Sequence, residues 1–399
     1  MSKKSRSHVE DLRGVSRLAV EATQGVTDLV QEMHRDFASG PGLLGRPLEA
    51  PTRLVTDLVY GSIRGITGMV GAGIDLALGQ LSPLLGEAAP GPEREAVLSA
   101  LNGVLGDYLA ETDNPLAIEM QLRADAHPLP IDDPEALADT LPHARPHLLV
   151  MLPGLCMSDT LWPRNGHDHG AALVEDFGWT RIDLRYNSGL HISQNGRQLA
   201  DHLDRLVRGW PVPVESIQIV AHSMGGLVGR SACRFAELAA FGWRNRLRSF
   251  VFLGTPHHGA PLERGGNWLE LIVGRIPYAR PLARLGRIRS AGVTDLRYGN
   301  VLDEHWEGRD RFEGGGDPRT PLPLPRDVRC YALAGSGGGG SGDGLVPIDS
   351  ALGVHEDPDL ILDFAADERA VQEGVGHMDL LGGGEVYAQI EAWLRARGD

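Results

Sequence analysis

The stretch that most constrains this chain is residues 217–226, IQIVAHSMGG, where an apolar run ends in a serine between small residues and a helical pattern begins at Leu227. A short strand that is apolar at nearly every position has no solvent face, so it belongs in a mainly parallel sheet covered on both sides by helices. A tight strand-to-helix bend requires small neighbours, and Ala221 and Gly225 supply them. Ser223 stands at the apex, where its hydroxyl clears the sheet and the first N–H groups of the helix face any charge developing there. That makes Ser223 the candidate nucleophile. The plainer reading is a turn serine, and the strand before it and the helix after it argue against that.

The rest of the chain fits an α/β class. Strand-like runs occur at 148–152 (LLVML), 180–184, 216–220, 249–253, 328–334 and 360–364, with helix-like stretches at 196–208, 227–240 and 386–397 between or after them. Alternation at 117–124 (AIEMQLRA), followed by a proline-broken segment, suggests a further strand and a hairpin. Residues 1–113 read as a helical region and 114–399 as the sheet-bearing domain. Residues 259–325 interrupt the rhythm as a cap-like insertion. Glycines Gly61, Gly65, Gly68, Gly71 and Gly73 in the second N-terminal helix imply close backbone approach, as in a packed helical hairpin; an amphipathic face touching lipid is the competing reading.

Composition excludes several classes. With 38 Lys and Arg against 53 Asp and Glu, the formal net charge is −15, which opposes extended contact with nucleic-acid phosphates. Three cysteines, Cys156, Cys233 and Cys330, form neither a disulfide framework nor a metal-binding spacing, which suits a reducing compartment. Glu10, Asp11 and Arg13 interrupt the run a secretory leader would need, and Asp57, Arg64 and Asp75 break the longest apolar candidate span. Cytoplasmic residence follows as an expectation, with the N-terminal helices or the insertion as candidate surfaces for peripheral contact with lipid.

The AHSMGG turn, with alanine in place of the first glycine of GxSxG, resembles that of small bacterial lipases, and the sequence is similar to serine esterases and lipases of the α/β-hydrolase superfamily over residues 117–399. GTPHHGAP at 254–261 strengthens the resemblance, since a similar segment occurs in lipases and in the GPI inositol-deacylase and phosphatidylcholine-sterol acyltransferase groups. The resemblance implies an α/β-hydrolase fold and the order serine, acid, histidine along the chain. A similar DGLVP segment carries the acid in bacterial lipases, which points to Asp343, flanked by glycines; Asp349 and Asp363 are the substitutes. Fifteen histidines make composition useless, but only His355 and His377 follow Asp343. His377 lies in the loop GVGHMDLL before the final helix, where this fold keeps its base, and is preferred. Met224 and Leu155 are the expected main-chain oxyanion donors, with Cys156 as the neighbour that replaces Leu155 if the turn shifts. Related lipases have His-Gly where this chain has Pro153-Gly154.

Other groups have plainer explanations. Free cysteine is usually a small buried hydrophobe, so thiol catalysis at Cys156 is not expected. His167, Asp168 and His169 are adjacent in sequence and read as a satisfied loop. His257 and His258 are expected to fix the loop beside the site. Asp379 matches a calcium-ligand position in calcium-binding lipases, but no partner carboxylate is identifiable, so no metal and no cofactor are implied. In the insertion, Trp268, Leu269, Leu271, Ile272, Ile276, Leu282 and Leu285 either line an acyl pocket or pack on the sheet, and seven arginines between 263 and 297 read as a solvated face, with recognition of an anionic head group as the competing reading. The expected activity is hydrolysis of an uncharged acyl ester or lipid, with acyl transfer by the same residues, or a membrane- or granule-associated binding role, as the alternatives.

Overall fold

The computed structural model describes residues 92–260, 289–309, 317, 319–337 and 340–396. Residues 1–91 of the N-terminal helical region, the apolar residues of the insertion from Trp268 to Leu285 and most of its arginines lie outside the described residues.

Two compact units are distinguished, one formed by Met1–Arg94 with Leu109–Leu116 and the other by Glu95–Tyr108 with Ala117–Asp399. In chain order the described elements are α1 (Pro92–Glu111), β1 (Gln121–Ala124), β2 (His127–Pro128), α2 (Pro134–Thr140), β3 (His147–Leu152), α3 (His169–Phe177), β4 (Thr180–Arg185) and α4 (Ile192–Gly209). They continue as β5 (Ser216–His222), α5 (Met224–Leu238), β6 (Leu247–Leu253), α6 (Ala291–Asp295), β7 (Arg329–Ser336), α7 (Ile348–Ala351), β8 (Arg369–Glu373) and α8 (Gly384–Arg395). Local chemistry sets several boundaries. Asp168 caps α3 by accepting from Ala171 N–H at 3.1 Å, and Gly178 ends it in the left-handed region at φ +67°.

The strands form one sheet in the order β2-β1-β4-β3-β5-β6-β7-β8. From β4 to β8 every neighbouring pair is parallel, whereas β1 runs antiparallel to both β4 and β2. The central strands are buried on both sides, as their largely apolar sequences require. Val251 and Leu253 of β6 join a core with Trp162, Leu173, Leu380, Ile390 and Trp393, which come from the α3 and α8 side. Phe250 and Phe252 alternate to the opposite face. There Gly229 of α5 lies so close to Phe250 that a Cβ would fall 2.4 Å from its ring, and Gly196 of α4 abuts Ser231 of α5. Glycines at these points allow α4 and α5 to approach the sheet and each other.

One strand departs from the sequence reading. Residues 360–364 pair with no strand; the last strand of the sheet is β8, RAVQE. The alternation of Leu360, Leu362 and Phe364 reflects one-sided burial of a segment that leaves a 3-10 turn at Leu360, with Phe364 edge-on to Phe252. β8 is a half-exposed edge strand, so its sequence lacks the apolar signature of the central strands. The sheet-bearing unit also takes in residues Glu95–Tyr108, N-terminal to the change of period at Asn114. Gly103 and Gly106 of α1 let the helix approach Cys156 and Asn187 too closely for any side chain.

Candidate active site

The C-terminal ends of β3, β5, β6 and β7 converge, and each contributes a loop to one place. At the end of β5 the chain turns at Ser223, which takes φ +54° and ψ −126° before α5 begins. A non-glycine residue in this region is strained, and surrounding contacts hold it there. Ser223 N–H donates to Leu253 O at 2.8 Å, tying the turn to β6. Gly225 is indispensable, because a Cβ there would lie 2.4 Å from Leu152 O and 2.7 Å from Pro153 O, both main-chain atoms. Gly225→Ala is expected to destabilise the protein by about 1–3 kcal/mol, the usual range for overpacking. Thermal unfolding checks this, and an unchanged melting temperature would mean the turn has room the geometry denies.

Ser223, His377 and Asp343 meet here. His377 Nε2 lies 2.9 Å from Ser223 Oγ, and its Nδ1 lies 2.7 Å from Asp343 Oδ2. Since a carboxylate only accepts, Nδ1 carries the proton and Nε2 is left to accept from the serine hydroxyl. Asp343 Oδ1 accepts from Leu345 N–H at 2.9 Å and Val346 N–H at 2.8 Å. Burial by itself would push the Asp343 carboxyl up; the adjacent His377 and these N–H groups outweigh it and hold the pKa below the usual carboxylate value. The Asp343 and His377 loops are also joined through the backbone, His377 N–H donating to Asp343 O at 2.9 Å. Gly254, at φ +57° after β6, leaves the space beside Asp343 Oδ2 and His377 Nδ1 that a side chain would invade. All three side chains are almost fully buried.

The competing residues are elsewhere. Asp349 and Asp363 are exposed. His355 Nε2 faces Asp317 at 3.6 Å, and its ring lies 4.8 Å from that of His258.

The loop after β3 lies against Ser223, since a Cβ on Gly154 would be 3.0 Å from Ser223 Cβ. Tyr186 OH donates to Pro153 O at 2.9 Å and anchors this loop. Cys156 N–H is already donated to Ser188 Oγ at 3.0 Å, and Met224 is the first residue of α5. Burial pushes the Cys156 thiol far above its ordinary value, so it holds no thiolate.

One contact was not visible in the sequence. His222, immediately before the serine, donates from Nε2 to His377 O at 2.9 Å, so the residue next to Ser223 also fixes the His377 loop. Burial and the neighbouring His377 pull its pKa down to about 3, so the ring is neutral. His257 and His258 are held by arginines: Arg230 Nη1 donates to His257 Nδ1 at 3.3 Å, and Arg319 donates to His257 O at 2.8 Å and to His258 Nδ1 at 3.2 Å. His169 contacts Leu380 O and His167, while Asp168 caps α3 and pairs with Arg181. Asp379 faces Arg164 at 3.4 Å. Among the described residues no group of three or more His, Cys, Asp or Glu side chains is arranged to hold a metal, and no helix is long and apolar enough to cross a membrane.

A family model described as PGAP1-like alpha/beta domain matches residues 190–301, from the start of α4 through the serine turn to just beyond α6. No curated protein matches the sequence. Among solved structures, the mature lipase BlEst2 of Bacillus licheniformis is 16% identical with a TM-score of 0.43, covering 70% of this chain and 97% of that one. Lipase B of Aspergillus fumigatus is 12% identical with a TM-score of 0.39, covering 69% and 56% respectively. The naproxen esterase (carboxylesterase NP) of Bacillus subtilis is 16% identical with a TM-score of 0.33, covering 64% and 84%. The parallel sheet order, the strand-turn-helix at Ser223 and the succession of serine, acid and histidine along the chain are those of the α/β-hydrolase fold, and this chain has that fold.

Proposed function

We propose that this protein is a serine carboxylic-ester hydrolase working through an acyl-enzyme. The observation that carries the reading is the continuous relay from Ser223 Oγ through the His377 ring to the Asp343 carboxylate, at 2.9 Å and 2.7 Å. In it, Ser223 Oγ attacks the ester carbonyl carbon while its proton passes to His377 Nε2. Asp343 stabilises the imidazolium, and the N–H groups of Met224 and Leu155 bind the oxyanion. Collapse breaks the bond to the alcohol, which takes the proton back from His377. Water then attacks the acyl-enzyme by the same route, releasing the acid and restoring the serine.

The substrate class we assign is an uncharged acyl ester or lipid, in keeping with the apolar residues that the sequence of the insertion carries. Contact with a lipid surface through the N-terminal region or the insertion belongs to the same proposal. The test is labelling with a fluorophosphonate followed by peptide mass analysis. One adduct per chain is expected, on the peptide bearing Ser223, with concurrent loss of nitrophenyl-ester turnover. Absence of an adduct, or its appearance on another serine with activity lost, would remove the assignment.

A further inference from the structure

Away from the triad, a cavity of about 770 Å³ opens between α5, the start of β6 and the segment 320–327. None of Ser223, Asp343 and His377 lines it. Its volume lies in the ordinary range for small-molecule sites. Five arginines and three carboxylates line it, a surplus of two positive charges on a chain whose formal net charge is −15.

The arrangement of these charges is unusual. Arg230 is 4% exposed, yet its guanidinium faces no carboxylate among the described residues. Its Nη1 donates to His257 Nδ1 at 3.3 Å, its Nη2 to Leu322 O at 2.5 Å, and its Nε has no partner. A buried, unpaired cation is costly, and it is normally either paired or used. Burial, with Arg319 nearby, pulls its pKa down to about 9, which still leaves it charged at neutral pH. Arg244 is neutralised by Glu237 at 2.9 Å, but Arg234 and Arg326 line the same cavity without an ion pair among the described residues. The facing wall is Pro321-Leu322-Pro323-Leu324-Pro325, mostly apolar and stiffened by three prolines.

We propose that this cavity binds a phosphate monoester, with Arg230 at its floor, Arg234 and Arg326 at its rim and the organic part against the proline wall. A phosphate monoester carries a charge of about −1.5 to −2 at neutral pH and three acceptor oxygens, which match the charge surplus and the donors of separate guanidinium groups. A monocarboxylate would balance only half of the surplus. The site is independent of the hydrolase reading, because binding is measured without turnover.

The probe is phenyl phosphate, titrated against the full chain and followed by thermal unfolding and calorimetry, with sodium chloride at matched ionic strength and benzoate as controls. Arg230 is buried and its replacement risks the fold, so the discriminating variant is the double substitution Arg234→Gln, Arg326→Gln at the rim. The wild type is expected to show saturable stabilisation by phenyl phosphate. In the double variant the dissociation constant should rise by about tenfold or more, as expected for loss of charge-assisted hydrogen bonds. No stabilisation beyond sodium chloride, unchanged affinity in the double variant, or equal affinity for benzoate would each overturn the proposal. Phosphatidylcholine vesicles containing phosphatidic acid distinguish the source of the group. Pelleting of wild type but not of the double variant would supply it on a lipid, whereas phenyl phosphate binding without pelleting would supply it on a soluble molecule.

Discussion

Ser223→Ala is expected to lower ester hydrolysis by about 10⁴- to 10⁶-fold, the range found when a serine nucleophile is removed from such a relay. That corresponds to about 5–8 kcal/mol of transition-state stabilisation. The same substitution removes one hydrogen bond, from Ser223 Oγ to His377 Nε2, whose net contribution to folding is about 0.5–1.5 kcal/mol. Alanine has no better access than serine to φ +54°, so the strain of the turn persists. The melting temperature should therefore move by only a few degrees while activity falls to background. His377→Ala should cost about as much, and the double variant little more, because the two side chains act as one unit. Asp343→Asn is informative for a different reason. An amide cannot accept both the Nδ1–H of His377 and the N–H groups of Leu345 and Val346 as a carboxylate does, so the ring loses the orientation and tautomer it needs, with an expected loss of about 10⁴-fold. Steady-state kinetics with nitrophenyl esters, together with thermal melts, decide the matter. Ser223→Ala protein hydrolysing at the wild-type rate would end the acyl-enzyme mechanism.

The parts of this site that were legible in the sequence are those determined locally. The turn at Ser223 needs a buried strand, small neighbours and a following helix, all within ten residues, and that pattern can be read directly. His377 and Asp343 are different. Nothing in their immediate residue chemistry distinguishes them from the other histidines and aspartates, and the expectation for them rested on loop position and family resemblance. Contacts across the fold were hidden altogether. His222 reaches His377 O across 155 positions, and Cys156 N–H is engaged by the Ser188 hydroxyl, 32 positions away. Strand readings failed where burial and pairing part company. Residues 360–364 alternate because one side packs, whereas β8 pairs at a half-exposed edge with a polar sequence.

Lowering the pH from 7 to 5 is expected to remove much of the folding stability, because four histidines are buried in positions that require a neutral ring. His169, His222, His257 and His305 are each 2% exposed or less. Burial, the leading cause in every case, lowers their pKa to about 4, about 3, well below the usual value and about 4 respectively. Their partners agree with neutrality. His257 Nδ1 accepts from Arg230, His305 Nδ1 accepts from Val301 N–H at 3.2 Å, and His222 Nδ1 has no acceptor for a second proton. Below about pH 6.5 the unfolded chain binds protons that the folded protein refuses, so stability falls as pH falls, by about 1.4 kcal/mol per histidine per pH unit until the folded pKa is reached. Asp183 acts in the opposite sense. Burial, against the attraction of Arg181, raises its pKa to about 6, so below that pH it offsets about one histidine. Asp343, whose folded pKa is depressed, contributes stability above its unfolded value and loses it only in more acidic solution, outside this window. The net loss between pH 6.5 and 5 is on the order of 5 kcal/mol, a large share of the roughly 5–15 kcal/mol that holds a domain folded. Urea unfolding at pH 7, 6 and 5 at constant ionic strength measures it. His169→Gln, which removes one of the four rings, should flatten the dependence by about 1.4 kcal/mol per unit. Equal unfolding free energies at pH 7 and 5 would mean that these rings accept protons within the folded protein, through local openings that the packed geometry does not contain.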